Sequence, residues 1–197
     1  NMQDGMGFNL ESLRQQLRLP AGVVRFPANF SEGVGVTLEQ LNLIYNAGDM
    51  LLTTARGEGW GLSVSEALCV GLPVVAPKHT SFAEILRDDY GNLRGLLVPP
   101  LLEQEIIIMD NDQLRPVADI GAMAKKVCWA IEHPEHARGI GRRGMQWAQS
   151  ISWRGSIVPQ WTALFREAME SLRPAPVDVQ PPTGGRLPYA LSPEVLA

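Results

Sequence analysis

Three glycines and two glutamates lie close together in residues 55–68, ARGEGWGLSVSEAL. Gly57, Gly59 and Gly61 alternate with larger residues directly before a segment that has the pattern of a helix. Alternating glycines let the backbone turn tightly and let a ligand approach the main chain. The first N–H groups of the helix would have no partner inside it and would lie at its positive end, where phosphate binds well. This loop therefore predicts a site for a diphosphate, and the alternative is a tight turn with no ligand.

The two glutamates indicate a different part of the ligand. Glu58 precedes the predicted helix and Glu66 lies inside it. A carboxylate repels phosphate but accepts hydrogen bonds from hydroxyl groups, and the vicinal hydroxyls of a sugar match its two oxygens. A nucleotide sugar, with hydroxyls at both ends and a diphosphate between them, fits this pattern. The alternatives are plain loop polarity for Glu58 and a surface position near a helix N-terminus for Glu66.

The surrounding sequence predicts alternating strands and helices that would position this loop. Strands are predicted over residues 23–26, 50–54, 71–77 and 95–98, and helices over residues 9–17, 37–47, 62–70 and 81–86. Such alternation indicates parallel β-α units with short connections. The strands are continuous apolar runs, as expected when helices cover both faces of a sheet. We therefore expect an α/β fold in which the glycine loop lies at the carboxyl edge of a parallel sheet, where ligands bind.

The second half of the chain has a different character. Residues 101–115 mix polar and apolar side chains and predict no clear element, whereas residues 117–132, 134–150 and 153–172 predict three helices. Residues 174–197 are rich in proline and glycine and are expected to be extended or disordered. We expect one domain over residues 1–173 and a tail over residues 174–197.

The composition of the chain argues against some classes of function. The chain has 197 residues, of which 45% are hydrophobic and 19% charged, as in ordinary globular proteins. The formal net charge of −4 argues against a nucleic-acid partner bound through bulk charge. No apolar run reaches the ~18 residues of a membrane span, and no signal peptide is visible. Cys69 and Cys128 are isolated and predict core thiols, which fits a reducing, cytoplasmic location.

Residues 58–75, E-G-W-G-L-x-x-x-E-A-L-x-x-G-x-P-V-V, resemble the retaining glycosyltransferases of family 4, which have the GT-B fold. The segments LNLIYNAGDMLLTT before the motif, and FAEIL and GLLVPP after it, also match that family. The resemblance implies a Rossmann-like domain, the C-terminal half of a GT-B fold, that binds a nucleotide-sugar donor. It also implies a fragment of a longer enzyme, incomplete at its N-terminus, which begins NMQDGMGFNL without the usual first Met.

The resemblance also implies roles for individual residues. Glu58 would be a catalytic residue that contacts hydroxyls of the transferred sugar, and Glu66 would hold the ribose. Main-chain groups that would contact the sugar and the phosphates belong to Gly59, Trp60, Gly61 and Leu62. The base would lie against Phe26 and Pro27, and Pro27 stands where many members have glycine. His79 would approach the donor from the edge of the pocket, or would instead be a solvent-facing loop residue.

The same family scheme implies the partners. It requires no cofactor and no metal held by protein side chains. The acceptor, a sugar or glycoconjugate, would bind to an N-terminal domain that this sequence does not match. In the family an Arg and a Lys near the start of the C-terminal domain stabilise the departing diphosphate, and this sequence has no counterpart of either. The chain alone is therefore expected to bind donor weakly without turnover. The apolar face of the last helix, with Trp153, Trp161 and Phe165, would be exposed, covered by a second copy or folded over the sheet, with ordinary core packing as the alternative.

Two other functions stay open at this point. One keeps the GT-B fold but changes the chemistry, as in glycogen and starch synthases or nucleotide-sugar epimerases. The other, from a different class, is a non-catalytic binding or assembly module.

Overall fold

The computed structural model describes residues 9–25, 35–106 and 113–172. The chain divides into two compact units, Asn1–Ser150 and Ile151–Ala197. The helices of the first unit are α1 (Leu10–Gln16), α2 (Leu38–Ala47), α3 (Leu62–Cys69), α4 (Thr80–Ile85), α5 (Ile120–Glu132) and α6 (Pro134–Ser150). Its strands are β1 (Leu51–Leu52), β2 (Val74–Pro77), β3 (Leu96–Val98), β4 (Gln104–Ile106) and β5 (Leu114–Pro116). The second unit contains a π-helix, Trp153–Ile157, followed by α7 (Val158–Ser171).

The centre of the first unit is a parallel sheet in the order β1-β2-β3. Leu51 lies opposite Val74, and Val75 lies opposite Leu96. All four residues of β2 are buried, because helices cover both of its faces. The predicted α/β fold with a parallel sheet flanked by helices is confirmed.

The two faces of β2 belong to two separate apolar clusters, since successive side chains of a strand point to opposite sides. Val74 and Ala76 pack in one cluster, and Val75 packs in the other. The first cluster draws its helical members from α3 and α4, among them Val64, Leu68, Phe82 and Ile85. The second draws them from α5 and α6, among them Met123, Ala130, Ala137 and Ile140. The sheet and α3 therefore form one packed framework under the glycine loop.

Helix boundaries follow local capping chemistry. Thr37 caps α2 in a capping box, in which its hydroxyl and the side chain of Gln40 each accept a main-chain N–H of the other residue. The helix predicted from residue 117 begins at Ile120, because the Asp119 carboxylate accepts the N–H of Ala122 at 2.8 Å and fixes the start there. Helix α6 has the predicted bounds.

Two predictions about elements are wrong, and one segment with no predicted element forms strands. The described part of the strand predicted at residues 23–26 forms only an isolated bridge between Ala21 and Val24, so the parallel sheet has three strands in the described residues rather than four. The segment without a predicted element contains β4 and β5, an antiparallel pair that forms its own sheet. The single helix predicted over residues 153–172 is a π-helix followed by α7, which has a proline in its first turn.

The cysteine prediction is also wrong, because both thiols are exposed. Cys69 is the last residue of α3, one position beyond the buried Leu68 and therefore turned away from it by about 100°. Cys128 lies on α5, on the side opposite to the buried Met123 and Ala130. The buried faces of α3 and α5 thus lie on other sides of these helices than the two cysteines.

The described part of α7 has no buried residue. Trp153, Trp161 and Phe165 are all more than half exposed, and the rings of Trp161 and Phe165 contact each other with centroids 5.5 Å apart. Within the second unit, these aromatics are therefore not packed in a core. None of the helices in the described ranges combines the length and apolar composition that a bilayer span needs. The predicted tail, residues 174–197, lies outside the described residues.

Candidate functional site

Three connections meet at the carboxyl edge of the parallel sheet. The glycine loop follows β1, the segment Lys78–His79 follows β2, and the β4–β5 hairpin follows β3. Parallel strands end at the same edge, which is where α/β proteins bind ligands. The connections touch one another: the N–H of Glu58 donates to the Thr80 hydroxyl at 3.3 Å, and the Arg115 side chain lies against Gly57.

The three glycines of the loop differ in what a side chain at each position would meet. Gly61 has a left-handed φ of 84°, and a Cβ there would lie 2.6 Å from the ring of Phe82. A Cβ on Gly57 would lie 2.9 Å from Nη1 of Arg115. Gly59 is exposed, and no atom lies within 4 Å of the position of its Cβ. Packing within the chain thus accounts for Gly61. At Gly57 a side chain would require the flexible end of Arg115 to shift, and of the three only Gly59 leaves open space for a ligand.

The N-terminus of α3 has the features of an anion site. Gly61 is the N-cap residue, and no side chain forms a capping hydrogen bond to this helix. The first helical bonds are those from the N–H groups of Val64 and Ser65 to the Gly61 carbonyl, both 3.1 Å. The N–H groups of Leu62 and Ser63 therefore precede the first helical bond, and both residues are exposed.

The side chain of Trp60 is held by the protein. Its indole N–H donates to the Ser65 hydroxyl at 3.2 Å, and its ring stacks on Trp147 of α6 with centroids 6.4 Å apart. The Ser65 hydroxyl in turn donates to the Leu62 carbonyl at 2.9 Å. The guanidinium of Arg94 covers Trp147 at 4.7 Å. These contacts hold the side chain of Trp60, and its main-chain groups are left to contact a ligand.

Glu66 is half-buried on α3 and has a specific partner. The hydroxyl of Tyr45, on α2, donates to Oε2 of Glu66 at 2.9 Å. Burial, together with the hydrogen bond and negative charge of Glu66, raises the pKa of Tyr45 to about 12. A tyrosine is protonated at neutral pH even with its ordinary pKa of about 10, so the hydroxyl donates to Glu66 there, and the raised pKa extends this to higher pH. This leaves the remaining lone pairs of the Glu66 carboxylate to accept hydroxyls of a ligand.

Glu58 is exposed on the loop and is held less firmly. Its main-chain N–H is bound to Thr80, but its carboxylate makes no hydrogen bond or ion pair with another residue in the described part of the chain. Glu58 and Glu66 thus come from the loop and from α3, as the sequence predicts.

His79 is buried, with 9% of its surface exposed, so the solvent-facing alternative is wrong. Its Nδ1 lies 3.2 Å from the Thr80 hydroxyl, whereas Nε2 is buried and has no hydrogen-bond partner among the described residues. Burial lowers the pKa of His79. A hydrogen bond with the Ala55 backbone partly offsets this effect, and the charge of Arg115 adds a smaller lowering.

Thr80 has φ of 42°, a conformation that β-branched residues rarely adopt. Strained residues of this kind concentrate at functional sites.

Two residues of the site could not be predicted from the sequence: Tyr45 and Arg115. Tyr45 lies in the matching segment LNLIYNAGDMLLTT, but nothing in its local pattern points to a glutamate 21 positions later. Arg115 lies in the segment for which no element is predicted.

Phe26 and Pro27, the predicted base contacts, lie outside the described residues. Across residues 9–25, 35–106 and 113–172, no three His, Cys, Asp or Glu side chains gather to hold a metal ion.

Comparison with known proteins defines the family. The family described as glycosyl transferases group 1 matches residues 29–147, more than half of the chain. The chain therefore belongs to the group 1 glycosyltransferases. A search of curated protein sequences finds no significant match.

The fold of this chain is also found in a solved structure. Sucrose-phosphate synthase from Thermosynechococcus elongatus is 24% identical, with a TM-score of 0.61 over 83% of this chain and 34% of the synthase. The chain thus spans about a third of that protein. The C-terminal domain of the group 1 family protein LpcC from Francisella tularensis is 22% identical, with a TM-score of 0.48 over 72% of this chain and 59% of that domain. Anabaena HepE, solved in complex with UDP and glucose, is 22% identical, with a TM-score of 0.45 over 66% of this chain and 29% of HepE.

Proposed function

We propose that the chain is the donor-binding domain of a retaining glycosyltransferase of family 4, of the hexosyltransferase type. Such an enzyme transfers a sugar from a nucleoside diphosphate to an acceptor. The observation that carries the proposal is the pairing, on one helix, of an uncapped N-terminus with a glutamate held by Tyr45. The first feature suits a diphosphate and the second suits ribose hydroxyls. Membership of the group 1 family supports the transfer chemistry.

The roles follow from the charges in the site. The N–H groups of Leu62 and Ser63 would meet the diphosphate, with Gly59, Trp60 and Gly61 offering the main chain to the phosphate and sugar. Glu66 would accept the ribose hydroxyls. Glu58 is exposed and free of other partners in the described residues, so it can reach hydroxyls of the transferred sugar. His79 would lie at the edge of this pocket.

The whole reaction needs more than these residues. We propose that the acceptor, a sugar or glycoconjugate, binds to a partner domain, and that this chain binds donor without turnover on its own. A cytoplasmic location and the absence of a cofactor or protein-held metal remain predictions. Self-association through the exposed apolar face of α7 also remains a prediction.

Titration calorimetry with UDP-, GDP- and ADP-glucose tests donor binding. We expect one nucleotide sugar to bind, and Glu66→Gln to weaken it by about tenfold, the effect of losing hydrogen bonds to a charged group. Glu58→Gln should weaken it less, since that carboxylate is not preorganised. Glu132→Gln, at the exposed end of α5, is the matched control and should bind like the wild type. If no nucleotide sugar bound the wild type, the donor-site proposal would fail.

Retention needs a separate measurement. When the chain is supplied with its partner domain, NMR of the initial product should show the anomeric configuration of the donor. A product of inverted configuration would contradict the assignment to a retaining family.

A further inference from the structure

The loop residue Trp60 is held from a second helix, α6. Its ring stacks on that of Trp147, with the centroids 6.4 Å apart and an angle of 24° between the ring planes. Trp147 is half-buried and packs against the apolar cluster that contains Val64 and Leu68 of α3. The guanidinium of Arg94 lies over the same ring, 4.7 Å from its centroid. Trp147 is thus fixed by the core and supports a loop residue that is itself exposed.

Two glycines of α6 allow this helix to come close enough to α3 for the contact. A Cβ at Gly141 would lie 2.2 Å from the carbonyl oxygen of Gly71, in the turn after α3. A Cβ at Gly144 would lie 2.5 Å from the side chain of Leu68 and 3.0 Å from the carbonyl oxygen of Arg94. Helix α6 is therefore packed closely along α3, and Trp147 extends this packing to the loop.

The ring of Trp60 restrains a part of the loop that has few other restraints. Gly59, directly before it, can adopt many backbone conformations and has no atom within 4 Å of the position of a Cβ. The indole N–H of Trp60 donates to the Ser65 hydroxyl, which in turn donates to the Leu62 carbonyl at the start of α3. Because the ring is held on α3 and on Trp147, the main chain that carries it is held as well.

We propose that Trp147 is a positioning residue of the donor site, which acts through Trp60 on the loop main chain that would meet the phosphate and the sugar. This inference rests on the proposed function, because it assigns a further residue to the same site. Trp147 restricts the loop before the donor arrives, so less conformational freedom is lost on binding.

Calorimetric titrations of the full chain with UDP-, GDP- and ADP-glucose test this role. For the nucleotide sugar that binds the wild type most tightly, we expect about fivefold weaker binding in Trp147→Leu, because the donor must then order the loop. Trp147→Phe keeps an aromatic ring for the stack and should bind within about twofold of the wild type. A purely structural role in the apolar cluster would give no such rescue, since leucine fills that cluster as well as phenylalanine does.

Trp129→Leu is the matched control. Trp129 lies on α5, is half-buried, packs against the second apolar cluster and stacks on His133 with centroids 5.0 Å apart. Its replacement removes the same kind of packing at the junction of α5 and α6 rather than at the loop, so donor affinity should be unchanged. If Trp129→Leu weakened binding as much as Trp147→Leu, the effect would come from a general loss of packing and the inference would be wrong.

A double-variant cycle shows whether Trp147 acts through Trp60. Trp60→Leu should weaken binding by about the same factor, and the double variant Trp60→Leu/Trp147→Leu by no more than either alone, because the two rings form one contact. Trp60 is exposed, so Trp60→Leu tests the stack even where Trp147→Leu lowers stability. Thermal unfolding of each variant checks that the fold is kept. If the two losses of affinity multiplied, Trp147 would not act through Trp60.

The outcomes separate this inference from the proposed function. A wild type that binds a nucleotide sugar and a Trp147→Leu variant that binds it equally well would overturn the positioning role alone. A wild type that binds none of the three nucleotide sugars would overturn both.

Discussion

The two glutamates of the site lie in regions that differ in rigidity. Glu66 is half-buried on α3, and its carboxylate accepts a hydrogen bond of 2.9 Å from Tyr45 on α2. Glu58 is exposed on the loop, where only its main-chain N–H has a partner among the described residues. Fixing a flexible side chain on binding costs about 0.5–1.5 kcal/mol. The helix side is therefore preorganised for a ligand, whereas the loop side must be ordered by the ligand itself.

The backbone shows the same division. Gly61, at the start of α3, is fixed by its left-handed conformation and by the ring of Phe82. Gly59, in the loop, has open space around it. The contrast fits the proposed function, in which the nucleotide half of a donor would be bound firmly and its sugar half would be reached by an acceptor.

The largest expected effect is that of Gly61→Ala. The methyl group would require a left-handed conformation and would lie 2.6 Å from the Phe82 ring, so we expect the free energy of unfolding to fall by about 3 kcal/mol. Urea denaturation measures this change. Gly59→Ala is the matched control and should change the free energy of unfolding by less than about 0.5 kcal/mol. Equal losses in the two variants would show that the loop and the helix start do not differ in rigidity.

An intermediate effect is expected for Tyr45→Phe. The variant keeps the ring but removes the hydroxyl that holds Glu66, so donor affinity should fall about fivefold, equivalent to about 1 kcal/mol. Calorimetry with the preferred nucleotide sugar measures this loss. Tyr90→Phe removes a hydroxyl from a side chain that is 92% exposed and should have no effect. Unchanged affinity in Tyr45→Phe would mean that Glu66 needs no support from α2.

The sequence predicts those elements of the fold whose signals are local. The capping box at Thr37 and Gln40 marks the start of α2, and the apolar runs mark β2 and β3. The β4–β5 pair could not be predicted, because each strand has only three residues and β4 is fully exposed, so neither shows an alternating pattern. Residues 23–26 have a composition typical of a strand, but the described part of this segment forms no more than a single bridge.

The candidate site divides in the same way. Glu58, Glu66 and the glycine loop are adjacent in sequence, and their residue types alone indicate a polar, phosphate-containing ligand. Tyr45 and Arg115 reach the site through the fold, from α2 and from the hairpin. The burial of His79 likewise depends on what packs around it, which a loop sequence does not reveal.

The smallest expected effect is a pH dependence that arises on the loop side, where His79 supports Thr80 and Thr80 binds Glu58. Burial lowers the pKa of His79 in the folded protein, whereas an unfolded histidine has a pKa of about 6.5. The unfolded chain therefore binds the proton more tightly. The contribution of His79 to the free energy of unfolding is complete above pH ~6.5 and is lost as the pH falls through the folded-state pKa.

Urea denaturation at pH 7.5 and pH 5.5 measures this contribution. His79→Asn should reduce the loss of stability between the two pH values, because the titrating group is gone while a polar atom can still face Thr80. The double variant His133→Gln/His136→Gln removes two exposed histidines and should keep the loss seen in the wild type. If His79→Asn showed the same loss as the wild type, the imidazole would not be what couples the loop to pH, and Glu58 would be supported by Thr80 alone.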